Sequence, residues 1–271
     1  MSLKGKVVVI TGASSGIGES CAYEFAKRGA DVVLAARQYV KLCETTQQIH
    51  DQYGVKTLAV QTDVSVEEDC KHLMQQTIST FGQIDILINN AGISMRALFK
   101  DLDLEVLKKV MDINFWGTVY CTKYALDELL NRGGSVVGVS SIAGFKGLPG
   151  RTGYSASKFA MNGFFESLRT ENLKNNLHVM LACPGFTASN IRNVALNDSA
   201  KPQGESSMDE GKMMTSDEVA KRIADGVEAR KRLLVMTGQG KLTVTLQKFI
   251  PAFLDKLVYN HFKKEKDPLI S

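Results

Sequence analysis

The 271-residue sequence predicts a single α/β domain: a doubly wound, seven-stranded parallel sheet with helices on both faces. Three observations predict it. Short apolar runs alternate with longer helical stretches, the pattern of a parallel sheet covered by its own crossover helices. The first run, Val7 to Ile10, is wholly apolar and branched, as a strand buried on both faces must be. No internal repeat, low-complexity run or linker interrupts the alternation, so residues 1–271 read as one domain.

The elements follow in order. Strands are read over 6–10, 31–35, 57–61, 84–88, 134–139, 178–182 and 233–236. Helices are read over 18–28, 66–81, 104–130 and 155–175. Gly29 ends the first helix, at the position where helices take a left-handed residue. Within the domain, 1–185 reads as the core, 186–214 as a long polar stretch and 241–266 as an amphipathic C-terminal extension.

Composition narrows the function classes. With 44% hydrophobic and 23% charged residues, the chain is ordinary for a soluble globular protein. A net charge of +4, with both signs interleaved, gives no footprint for nucleic acid. Cys21, Cys43, Cys70, Cys121 and Cys183 are scattered, odd in number and without metal-ligand spacing, so no metal is expected. They read as buried small hydrophobes in a reducing compartment. The N-terminus runs almost directly into a strand, leaving no room for a signal peptide. No apolar run reaches the roughly 18–20 residues of a membrane span. A cytoplasmic protein is expected, with peripheral membrane contact left open.

Thr11-Gly12-Ala13-Ser14-Ser15-Gly16-Ile17-Gly18 lies between the first strand and first helix. Gly12 permits a sharp turn, Gly16 lets backbone approach a pyrophosphate, and Gly18 permits close helix packing. The helix start then offers N–H groups and a positive dipole end to phosphate. A glycine-rich turn alone is a weak signal; its place in the first βαβ unit makes it a dinucleotide site of Rossmann type. The spacing is G-x-x-x-G-x-G rather than G-x-G-x-x-G, and in this the sequence resembles the short-chain dehydrogenases/reductases.

The end of the second strand bears on the cofactor. A carboxylate there accepts hydrogen bonds from the ribose 2′-OH of NAD. This chain has Ala35-Ala36-Arg37 instead. Arg37 can pair with a 2′-phosphate through a bidentate fork, with Ser14 as a hydroxyl donor, so NADP(H) is expected. Arg37 also fits a plain solvated loop charge. By the resemblance, Asp63-Val64 after the third strand meets the adenine. Asn89-Asn90-Ala91-Gly92 after the fourth matches the family's N-N-A-G signature, which lines the ribose and braces the sheet.

Tyr154 and Lys158 stand at i and i+4 on one helical face. A lone Tyr-x-x-x-Lys is common on solvated helices. Here Ser141 lies thirteen residues before Tyr154, at the end of the fifth strand, and Asn114 lies in the long fourth helix. Together they match the family's catalytic tetrad. The chemistry needs these residue types: hydride transfer to a carbonyl builds negative charge on oxygen, so a proton must arrive. A phenol's ordinary pKa of about 10 is too high for easy transfer, and a nearby ammonium lowers it. The resemblance implies that Lys158 also holds the nicotinamide ribose, that Tyr154 borders the cofactor, that Ser141 donates to the substrate oxygen, and that Asn114 holds a relay water. Pro184-Gly185 matches the turn beside the nicotinamide; Ser189 stands where the family has threonine, and Thr187 is a further hydroxyl.

The substrate is less defined. The polar stretch 186–214 matches the family's substrate lid, with Met208, Met213 and Met214 as adaptable contacts. Leu242, Leu246, Phe249, Ile250, Phe253, Leu254, Leu257 and Val258 recur at helical spacing beside Lys241, Lys248, Lys256, Lys263 and Lys264, with a kink expected at Pro251. This tail resembles the extensions of hydroxysteroid-dehydrogenase-like members. Packing on the core or a second subunit, a roof over an apolar substrate, and an interfacial membrane helix all fit it. The resemblance implies a homodimer or homotetramer. The expected reaction interconverts a ketone and a secondary alcohol on a small hydrophobic molecule: steroid-like, keto-lipid or xenobiotic. The alternatives are 3-oxoacyl thioester reduction, which the long C-terminus opposes, and a non-catalytic NADP-binding protein, which would not need the tetrad.

Overall fold

The computed structural model describes residues 2–185, 187, 195–201, 213–264 and 268–270. Seven strands, β1 (Val7–Thr11), β2 (Asp31–Ala36), β3 (Thr57–Gln61), β4 (Ile86–Asn89), β5 (Ser135–Val139), β6 (His178–Cys183) and β7 (Leu233–Val235), form one sheet in the order β3-β2-β1-β4-β5-β6-β7. Every pairing is parallel. The winding direction reverses between β1 and β4, so their carboxyl ends open a crevice at that seam.

The helices are α1 (Gly16–Lys27), α2 (Tyr39–Tyr53), α3 (Glu67–Phe81), α4 (Leu104–Met111), α5 (Gly117–Asn131), α6 (Thr152–Glu171), α7 (Ser216–Glu228), α8 (Gly238–Phe249) and α9 (Pro251–Phe262). Successive strand residues point to opposite faces. Val8 and Ile10 therefore join Phe25 of α1, Leu42 and Ile49 of α2 and Ile223 of α7 in one core. Val7 and Val9 join Leu73 of α3, Leu129 of α5 and Phe165 of α6 in the other. The unbroken apolar run of β1 is thus the signature of two cores served by one strand.

At the amino-terminal edge, buried Asp85 accepts from the Val7 N–H at 3.0 Å and pairs with Lys6 and Arg132, each at 2.9 Å. Burial opposes its charge, but these donors win and hold its pKa below the usual value. The group anchors the edge of the sheet away from the crevice.

Three differences from the sequence reading have physical reasons. The helix α2 was not expected: its buried stripe is Leu42, Thr45, Thr46 and Ile49, half of it threonine, so its apolar periodicity is faint. The helix expected over 104–130 is three pieces, because Asp112–Trp116 winds as a π-helix between α4 and α5. The expected kink at Pro251 is a full break: Ile250 leaves helical geometry at φ −137° and ψ 59°, and Pro251 opens α9 at a first-turn position, where its missing N–H costs nothing. The helix α7 was not expected either, and the elements that were expected shift at their boundaries by a few residues, as frayed ends do.

Candidate active site

The glycine loop is built by close approach. Gly12 and Gly16 have φ of +65° and +57°, a region that side chains disfavour. A Cβ on Gly18 would lie 2.3 Å from the Gly12 carbonyl oxygen, so α1 rests directly on the turn. Asn90 braces the same turn, donating to the carbonyls of Thr11 at 2.9 Å and Gly12 at 3.2 Å. Thr11 was not singled out from sequence, yet its hydroxyl accepts the N–H groups of Asn90 and Ala91 at 3.0 and 3.1 Å. Its signal was a hydroxyl at a strand end facing the next strand's polar loop. Asn89 reaches the other way, donating to Thr122 at 3.0 Å.

A cleft of about 540 Å³ lies along this seam. It brings together Gly12, Ser14, Ser15, Gly16, Ile17, Arg37, Asp63, Val64, Asn90, Ala91 and Gly92, all expected from sequence. Gly18 lies behind it, in the packing. Ser15 caps α1 without a side-chain bond to the helix, so the first-turn N–H groups stay open toward the cleft. Arg37 is exposed at one end, beyond Ala36, and forms no ion pair among the described residues. Asp63 takes both bonds from Ser65 on one oxygen, Oδ1. Sequence reasoning missed Leu196 and Ala200, which also line the cleft. They belong to a segment that pairs with the chain after Gly92, Leu196 N–H donating to Ser94 O at 2.9 Å and Arg96 N–H to Leu196 O at 2.8 Å. No local pattern in the polar 186–214 stretch signals that pairing.

Asn114 and Lys158 lie at the Gly92 end, with Tyr154 beside Lys158. Lys158 is buried and donates from Nζ to the Val139 carbonyl at 2.9 Å. That Nζ lies 5.7 Å from the centre of the Tyr154 ring and 3.7 Å from the point a Cβ on Gly92 would occupy. Burial lowers its pKa from 10.5 to about 8. Ser141 begins a short turn, Ile142–Gly144, and its Oγ accepts the Ala143 N–H at 3.1 Å. Asn114, in the π-helical stretch, pairs its amide with the Ile93 backbone, accepting from N–H at 2.8 Å and donating to C=O at 2.9 Å. It also donates to Ser157 at 2.9 Å. Its side chain therefore fixes the strand exit beside Lys158 rather than touching Lys158.

Pro184 and Gly185 follow β6 against α8: a Cβ on Gly185 would lie 2.5 Å from Thr237 Cγ2. Thr187 is buried and donates to the Gly185 carbonyl at 3.2 Å. Ser189, Met208 and most of 186–214 lie outside the described residues. Burial pushes the thiol of Cys183, close to Lys158, up to about 12, which disfavours the reactive thiolate. No cluster of metal-ligating side chains occurs among the described residues, and none of the described helices is long and apolar enough to cross a membrane.

Comparisons with known proteins bear on the family and the fold. The 11-beta-hydroxysteroid dehydrogenase A of Sesamum indicum is 45% identical over 188 residues, which cover 69% of this chain and 54% of that protein. An Arabidopsis thaliana 11-beta-hydroxysteroid dehydrogenase-like protein, 4A, is 42% identical over 185 residues, covering 68% and 62%. The chain thus spans little more than half the length of these relatives. Among solved structures, a short chain dehydrogenase/reductase from Burkholderia phymatum in complex with NAD superposes with a TM-score of 0.84 at 23% identity, over 93% of this chain and 96% of that one. An alcohol dehydrogenase from Thermococcus sibiricus complexed with 5-hydroxy-NADP superposes with a TM-score of 0.74 at 24% identity, over 85% and 94%. At these identities both show the fold. The family model described as short chain dehydrogenase matches residues 6–200. On that match, and on the relatives' identity, this chain belongs to the short chain dehydrogenase family of oxidoreductases.

Proposed function

We propose that the chain uses NADP(H) to interconvert a ketone and a secondary alcohol on a hydrophobic substrate. One observation carries the reading: a buried lysine with a softened pKa lies against the ring of Tyr154, at the end of a cleft built to hold a dinucleotide. The cleft fits the cofactor, with open N–H groups at α1 for the pyrophosphate and Arg37 with Ser14 where a 2′-phosphate would lie. When bound, NADP(H) supplies or accepts the hydride.

The chain's residues handle the proton. Tyr154 gives its phenolic proton to the substrate oxygen in reduction and recovers it in oxidation. Lys158, charged below about pH 8, stabilises the phenolate left behind. Because Ser141 Oγ already accepts from Ala143, its own proton remains available to the substrate oxygen. By the family resemblance, Asn114 would hold a water that links Lys158 to bulk solvent as a proton relay; its Oδ1 lies beside Gly92, as Lys158 Nζ does. Pro184, Gly185, Thr187 and Ser189 would border the nicotinamide, and 186–214 would cover the substrate.

The relatives' names favour steroid-like or other bulky apolar ketones. The third apolar cluster, Met95, Ala97, Leu102, Val106, Val110 and Leu196 with Tyr154 against it, supports an apolar substrate side. A homo-oligomer is expected. Five free thiols, four of them buried, support a cytoplasmic setting. The pair α8–α9 carries exposed apolar residues among lysines, which supports peripheral contact with a membrane. The test is a panel of ketones and alcohols followed by NADPH absorbance. Turnover of bulky apolar ketones is expected, and a panel silent with both NADPH and NADH would overturn the reading.

A further inference from the structure

One buried amide stands one turn beyond the catalytic pair on α6. Tyr154, Lys158 and Asn162 are spaced at i, i+4 and i+8, so the three form a single row along the helix. Asn162 is 6% exposed. A buried primary amide must find partners for both its ends or pay for desolvation. Asn162 finds both on the turn that carries Ser141. Its Oδ1 accepts from Ser140 Oγ at 2.7 Å, and its Nδ2 donates to the Gly144 carbonyl at 2.9 Å. The amide thus grips that turn on both sides of Ser141.

The turn is shaped for the grip. A Cβ on Gly144 would lie 2.7 Å from Asn162 Nδ2, 2.9 Å from Ser140 Oγ and 3.0 Å from the Lys158 carbonyl. Only glycine lets the turn sit this close to the helix. Ser140 is held from the far side as well, its N–H donating to Ala182 O on β6 at 2.8 Å. By contrast, among the described residues the Ser141 side chain is tied within its own turn, to Ala143. The Ser140–Asn162–Gly144 linkage therefore ties both flanks of Ser141 to α6, beside the bond from Lys158 Nζ to Val139 O.

We infer that Asn162 is a positioning residue for the reaction: it locks the Ser141 turn onto the helix bearing Tyr154 and Lys158. It does not reach the substrate. It fixes the separation of the two groups that must meet one substrate oxygen. Misplacing such a group by about 1 Å costs roughly 100-fold in rate. The inference rests on the proposed roles of Ser141 and Tyr154.

The experiment compares Asn162→Leu, Asn162→Asp, Gly144→Ala and the double variant Gly144→Ala with Asn162→Ala, in the full chain with NADPH and a ketone that the wild type reduces. Asn162→Leu keeps the volume and removes both bonds. It is expected to lower kcat roughly 10- to 100-fold while NADPH affinity stays within about twofold, because no cleft residue touches Asn162. Asn162→Asp keeps the acceptor for Ser140 and should recover part of that loss. Gly144→Ala should lower kcat by forcing the turn outward, and less so once Asn162 is alanine, so the two effects are not additive. Leu129→Ala, in the remote end of α5, serves as a control of comparable thermal destabilisation. Full kcat in Asn162→Leu, a loss no larger than in Leu129→Ala, or strictly additive effects with Gly144 would each overturn the inference. If Tyr154→Phe is also fully active, the function reading has failed; if Tyr154→Phe is dead and Asn162→Leu is not, only the positioning role has.

Discussion

The corner around α6 and the helix pair α8–α9 are opposite solutions to holding a side chain in place. Around α6, polar groups are buried and each has a named partner: Lys158 with Val139, Asn114 with Ile93, Asn162 with Ser140 and Gly144. In α8–α9 the apolar groups face outward. Phe249 is 77% exposed and Phe253 54%, while Leu254 and Phe262 are buried. A buried polar group specifies one geometry, because any other leaves it unpaired. An exposed apolar face specifies only that something should cover it. Function read from the first is chemistry; function read from the second is an occupant to be found.

The largest expected effect breaks the comparison if it fails. Tyr154→Phe removes only the transferable proton, so kcat should fall roughly 10²- to 10⁴-fold with NADPH binding intact. Retention of more than about a tenth of wild-type kcat, a loss under roughly 1.4 kcal/mol, would show that Tyr154 is not the acid.

Lys158 tests whether the polar corner is costly to hold. Its pKa is about 8 in the folded chain against an ordinary 10.5, so the unfolded chain binds more protons between those values. Stability therefore rises with pH across that window, and the buried ammonium costs its full amount, about 3 kcal/mol, below pH 8. Lys158→Met lacks this titration. Wild type should gain stability relative to the variant from pH 8 to 10, measured by urea unfolding, while the variant is inactive at every pH. Parallel stability curves would mean that Lys158 is not desolvated as described.

A smaller effect concerns the cleft's other end. Ala36→Asp with Arg37→Ile should move the kcat/KM preference from NADPH toward NADH by roughly tenfold or more, the worth of a charged hydrogen bond plus the new repulsion. An unchanged ratio would place phosphate recognition elsewhere.

Legibility in the sequence follows the same divide. Strands buried on both faces announced themselves, and β6, buried throughout, has the bounds its residues suggested to within one residue, His178–Cys183. The glycine loop and Tyr154–Lys158 were visible because their spacing, placed after β1 and after Ser141, expresses them. Thr11, Ser157 and Asn162 were not, since their partners lie tens of residues away and hydrogen bonds leave no period in the chain. The helix α2 was hidden by threonines in its buried stripe. The π-helical winding at Asn114 was hidden too: Leu104 to Leu130 reads as one helix until the structure shows where it widens.

The smallest expected effect sharpens the second half of the comparison. The apolar residues of α8–α9 recur at helical spacing, yet Leu242, Phe249, Ile250, Phe253 and Leu257 are each more than 40% exposed among the described residues. The pair is nonetheless held in place. Lys146 pairs with Asp255, Arg151 lies 5.2 Å from the centre of the Phe262 ring, and a Cβ on Gly240 would lie 2.6 Å from Ile142 Cδ1. All three contacts fall on the chain between Ser141 and Tyr154, so the pair stands beside the substrate side. Across 241–266, six lysines against Asp255 and Glu265 make the extension basic, which suits an anionic lipid surface. Phe249→Ser with Phe253→Ser should therefore weaken co-sedimentation with anionic vesicles severalfold and leave kcat on a small soluble ketone within about twofold. Truncation before Lys241 should keep NADPH binding, because the glycine loop and tetrad lie upstream, and should raise KM for bulky ketones. If light scattering shows that the double serine variant loses a subunit while vesicle binding is unchanged, the exposed face belongs to a second copy of the chain. If only KM for bulky ketones rises, the pair is a roof over the substrate and the lipid reading falls.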